Sequence, residues 1–64
     1  MCELKASVKK GDIEEVVMDN VAAIKPLEGD KFLLRGLLGE SMEIEGRLEE
    51  VNLISNRVLF SQTG

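Results

Sequence analysis

The stretch MEIEGRLEEVNL, residues 42–53, decides the fold. Met42, Ile44, Gly46 and Leu48 alternate with Glu43, Glu45 and Arg47, the period-two pattern of a strand with one apolar and one solvated face. At Glu49-Glu50 the apolar phase slips by one residue and resumes at Val51 and Leu53. A slip inside one long strand predicts a β-bulge or a sharp bend, and Gly46 beside it can relieve crowding on the inner face.

The same alternation extends outward in both directions. Cys2, Leu4, Ala6 and Val8 share one side of an N-terminal strand opposite Glu3, Lys5, Ser7 and Lys9, and Lys10-Gly11-Asp12 supplies turn chemistry. Ile13 to Ile24 also fits helical spacing, but its β-branched residues and the central Asp19-Asn20 favour two strand segments that meet at a turn or bulge. Lys25-Pro26 is expected to end that segment, because proline cannot donate to a ladder, and Glu28-Gly29-Asp30 to turn the chain. Lys31 to Leu38 reads as a strand buried on much of both faces, and Gly39-Glu40-Ser41 as the next turn. Ser55-Asn56 fits a short hairpin connection before a last strand at Val58-Leu59-Phe60, with the tail Ser61 to Gly64 expected to fray. The fold class predicted is all-β: a small antiparallel, strongly curled sheet or an SH3-like barrel of five to six strands.

Sixty-four residues leave room for a single small β-domain, residues 1–64. A monomer of this size buries only roughly 60% of the surface its unfolded chain exposes, so a metal or a partner subunit is an expected source of extra stability. The single cysteine cannot close an internal disulfide, and neither a leader-like nor a membrane-spanning apolar run is present; the expectation is a cytoplasmic protein with no membrane partner. Eight basic against twelve acidic residues give a net charge of −4, which opposes nucleic-acid binding through phosphate neutralisation. Phe32 and Phe60 are the only aromatics, a poor platform for stacking bases. No histidine is present, so Ser-His and Cys-His nucleophilic couples are excluded, and no enzyme activity is expected.

Cys2 is the candidate for chemistry. In the phase of Leu4, Ala6 and Val8 it reads as a small core residue, but beside the chain start its thiolate can act with a deprotonated backbone nitrogen and the Met1 α-amine. Removal of Met1 would instead make Cys2 its own amine and thiolate chelate. Sulfur with planar nitrogen donors suits square-planar Ni(II) or Cu(II). One N-terminus supplies too few donors, whereas two chains about a twofold axis complete four, giving one metal per homodimer. The paired carboxylates Glu43 and Glu45 share one strand face and are read as solvated charges, while Glu14 and Glu15 point to opposite faces. Met18 and Met42 fit core filling.

The start Met1-Cys2-Glu3-Leu4-Lys5, the step Asp19-Asn20-Val21, Leu37-Leu38-Gly39-Glu40, Ile44-Glu45-Gly46 and Val51-Asn52-Leu53 together resemble the CooT family of small nickel-binding proteins, over essentially the whole chain. The resemblance implies a cytoplasmic homodimer that binds one Ni(II) through the position-2 cysteine of each subunit. It also implies a client, carbon monoxide dehydrogenase or another nickel enzyme, to which nickel is supplied. Cys2 is the one residue carried over as a ligand. A different class of function is a small β-barrel module for RNA or protein, with Cys2 structural; it requires Lys5, Lys9, Lys10, Arg35 and Arg57 to gather on one face. A redox thiol at Cys2 ranks below both, since no second cysteine or sequence-evident cationic pocket lowers its pKa.

Overall fold

A computed structural model describes residues 3–62 of the chain. Among the described residues seven strands form: β1 (Lys5–Lys10), β2 (Ile13–Met18), β3 (Val21–Leu27), β4 (Lys31–Gly36), β5 (Ser41–Glu45), β6 (Arg47–Asn52) and β7 (Arg57–Gln62). No helix forms among the described residues. The strands make a four-stranded sheet, β2-β1-β7-β6, and a three-stranded sheet, β3-β4-β5. All neighbours are antiparallel except β1 and β7, which run parallel from Lys5 opposite Arg57 to Lys10 opposite Gln62.

Seven strands arise where five or six were expected because the long strand at 42–53 is cut at Gly46 into β5 and β6, one in each sheet. The Asp19-Asn20 step cuts Ile13 to Ile24 in the same way, sending β2 to one sheet and β3 to the other, with Asn20 at φ 53°. Bulges flank both corners: Val17 is the extra residue opposite Ala6-Ser7, Ala22 opposite Arg35-Gly36, and Glu49 opposite Leu59-Phe60. The last is the phase slip read from the sequence, and bulges of this kind increase local twist and bend the strand. The ladders break at the corners, so the sheet curls strongly without closing.

Three boundaries differ from expectation. Pro26 does not end its strand but lies inside β3, an edge strand whose missing N–H disturbs no inner ladder. β4 stops at Gly36, so Leu37 and Leu38 stand in a turn rather than in a buried strand. Ser61 and Gln62 do not fray; they continue β7 against Lys9 and Lys10, and the Gln62 side-chain amide donates to the Glu45 carbonyl at 2.9 Å.

The core lies between the sheets and consists of Ala6, Val21, Leu34, Ile44, Val58 and Phe60, with Phe32 packed against Phe60 at 5.0 Å between ring centroids, the rings tilted by 49°. Leu48 and Val51 on β6 share the inner face with Phe60 and Val58, yet stay about half exposed; Met42 is also exposed, although the sequence pattern turned all three inward.

Gly46 holds the corner between β5 and β6. Its N–H donates to the Asp30 carbonyl at 2.7 Å, its φ is +153°, and a Cβ there would sit 2.7 Å from the Ser61 carbonyl oxygen. Gly46→Ala is expected to destabilise the fold by about 2–4 kcal/mol in denaturant unfolding, from backbone strain plus displacement of β7. Gly29→Ala, at φ +71° but facing open space, is expected to cost only about 1–2 kcal/mol.

Candidate functional site

Cys2 lies outside the described residues, and the segment that leads to it begins at Glu3. The peptide joining Leu4 and Lys5 is gripped from both sides. The Lys5 N–H donates to the Asn56 carbonyl at 2.9 Å, while the Leu4 carbonyl accepts from the Val21 N–H at 2.9 Å. One side is the β6–β7 hairpin, the other the corner between β2 and β3. That corner is tied in turn to the β4–β5 hairpin by the Leu37 N–H donating to the Asn20 carbonyl at 3.1 Å. Leu4 also packs against the core cluster. The chain therefore enters the fold through a fixed slot at one end of the molecule.

A shallow depression beside this slot is lined by Glu3, Lys5, Asp19, Asn20, Ser55, Asn56 and Arg57. Arg57 donates to Glu14 at 2.8 Å across β1, and both side chains are about two-fifths exposed. A larger open cleft of about 960 Å³ lies on another side, between the unpaired edges of β2 and β5, with Val8, Ile13, Val17, Met42 and Ile44 among its lining residues.

The other titratable candidates are placed as follows. Glu43 and Glu45 are exposed on β5, opposite Leu33 and Lys31. Glu14 and Glu15 separate, Glu14 toward Lys9 and Glu15 toward Val8 on the opposite face. No group of three or more His, Cys, Asp or Glu side chains gathers among the described residues. The cations that an RNA-binding surface would need are scattered. Lys5, Lys9 and Arg57 share the outer face of the larger sheet with Glu14, Lys10 lines the cleft on the inner side, and Arg35 is on β4 in the other sheet.

The family model described as CO dehydrogenase accessory protein CooT matches residues 1–61. The chain belongs to the CooT family. Its fold is similar to a crystal structure of a protein provisionally named CooT from Carboxydothermus hydrogenoformans, with a TM-score of 0.86 and 27% sequence identity over 98% of this chain and 100% of that one. No curated protein sequence matches the chain. The resemblance read from the sequence thus stands, and with it the all-β fold. No helix among the described residues is long and apolar enough to cross a membrane.

Sequence reading missed the two hairpin tips that flank the entry slot. Leu37, Leu38 and Leu53 carry the apolar phase of strand residues, yet they and Ile54 are exposed, Leu38 and Ile54 almost completely so at 93% and 98%. The signal was present in Asn52, whose side chain caps the turn by accepting from the Ile54 and Ser55 N–H groups at 3.0 Å each. Asn52→Ala is expected to lower stability by about 1 kcal/mol, read as a shift of the urea midpoint. Glu14→Gln, which cuts the exposed Arg57 bridge, should change stability by less than about 1 kcal/mol, with the difference shrinking further in high salt.

Proposed function

We propose that this CooT-family protein is a non-catalytic, cytoplasmic nickel carrier. In this reading two copies associate, and the Cys2 thiolate of each holds a single shared Ni(II) for delivery to a client such as carbon monoxide dehydrogenase. The observation that carries it is the family match, which runs through residue 2 and describes an accessory protein of that enzyme. Cys2 is the sole cysteine of the chain, and no histidine competes for the ion.

The chemistry follows from the donor set. A soft thiolate favours late first-row divalent ions over hard cations, and one chain end cannot saturate such an ion. A second copy doubles the donors. Ligands at chain ends leave the metal open to stepwise exchange by an acceptor protein, where an enclosed four-thiolate cage would retain it.

Cys2→Ser in untagged protein is expected to abolish tight Ni(II) binding and the thiolate-to-nickel charge-transfer absorption while leaving the unfolding midpoint of the metal-free protein unchanged. Wild-type protein should saturate at one metal per two chains by absorption titration and native mass spectrometry. Unaltered affinity in the serine variant would overturn the assignment of Cys2.

A further inference from the structure

We infer that the free edge of β5 takes an extended segment of a partner protein as an added strand, and that the segment it fits alternates apolar residues with lysine or arginine. The inference goes beyond nickel carriage and holds with or without a metal. Its site is the open cleft between β2 and β5.

Four strands end the two sheets, β2 and β6 in one and β3 and β5 in the other. Each offers a row of backbone N–H and C=O groups that no neighbour within its sheet uses. Three of the four edges are blunted. β2 bulges at Val17, β6 at Glu49, and β3 combines a bulge at Ala22 with Lys25 and Pro26. β5 has none of these devices. Its pairing with β4 runs unbroken from Ser41 opposite Arg35 to Glu45 opposite Lys31, and it contains no lysine, arginine or proline. Only at its end is the edge engaged, where the Glu45 carbonyl accepts from the Gln62 side-chain amide at 2.9 Å.

The side chains of β5 select the occupant. Met42 and Ile44 stand opposite Leu34 and Phe32 on the core side of the strand and line the cleft, to which β2 contributes Ile13 and Val17. Glu43 and Glu45 alternate with them and are exposed. A strand added beside β5 keeps this alternation, because side chains on neighbouring strands line up face to face. Its inward residues enter the cleft and cover Met42 and Ile13, which are 36% and 71% exposed. Its outward residues fall beside Glu43 and Glu45. Arg57–Glu14 is the one ion pair among the described residues, so these two carboxylates hold no base of the chain's own. Lysine or arginine at the outward positions supplies one, whereas a second β5 edge would set acid beside acid. Glu15 and Asp30 also line the cleft, against Lys10 and Arg47, so the lining as a whole is acidic.

The test is an amide chemical-shift titration of the isotope-labelled full chain with a synthetic peptide that alternates Val and Lys over the length of β5. The peptide is expected to bind and to shift the amides of residues 41–45 and of Ile13, leaving the β3 and β6 edges unmoved. Two altered peptides probe the mode of binding, one with Glu in place of each Lys and one N-methylated throughout. Each should bind about tenfold more weakly or worse, the first from charge and the second from lost ladder hydrogen bonds. In the protein, Glu43→Lys/Glu45→Gln should lose the preference for the Lys peptide over the Glu peptide. Met42→Lys should weaken binding about tenfold by placing a charge on the inward side of the edge. All three side chains are exposed, and circular dichroism checks that the variants keep the fold. No binding by the Val-Lys peptide, equal binding by the methylated peptide, or shifts confined to β2, β3 or β6 would overturn the assignment to β5. Equal binding by the Glu peptide would remove the basic partner, and the proposal with it.

Discussion

One close backbone approach governs the whole architecture: Gly46 against Ser61. The chain must pass from the smaller sheet to the larger one within a single residue, and it does so with its N–H bonded to Asp30 and its Cα face pressed against the β7 carbonyl. Any side chain there would push β7 away, and β7 is the strand on which β1 and β6 both pair. The Phe32–Phe60 contact depends on the same closeness, since each ring comes from a different sheet. With six buried apolar residues among the described residues, the fold has little surplus burial with which to tolerate a shift of that strand.

Much of this was legible in the sequence because period-two alternation and its interruption are local signals. The slip at Glu49 is a bulge, Asp19-Asn20 is a corner, and Asn56 takes the positive φ expected of it, at 54°. What was not legible depends on which surfaces find a cover. Leu48 and Val51 have the phase of core residues and share the inner face with Phe60 and Val58, yet stay about half exposed on the edge strand β6, and Met42 is exposed on β5, an edge strand of the smaller sheet. Leu37-Leu38 extends an apolar run that hydropathy alone would keep in the strand, whereas the capping by Glu40 ends it at Gly36. The parallel pairing of the first and last strands leaves no mark in any short window of sequence.

The candidate site has the opposite character. Cys2 is conspicuous as a residue type at a position, and no strand geometry is needed to single it out. The fold is described instead around the segment that begins at Glu3: an entry slot hydrogen-bonded on both sides of the Leu4–Lys5 peptide and a depression lined by two acids and two bases.

The parallel β1–β7 ladder also fixes an order of events during synthesis. Lys5 to Lys10 pair with Arg57 to Gln62, residues separated by nearly the whole chain, so this contact forms late and carries a large loop-closure entropy. Until β7 has left the ribosome the slot around Leu4 and Lys5 lacks the Asn56 wall, and the N-terminal segment remains a free tail. The hydrogen-bonded grip on the Leu4–Lys5 peptide is therefore complete only once the last strand has formed.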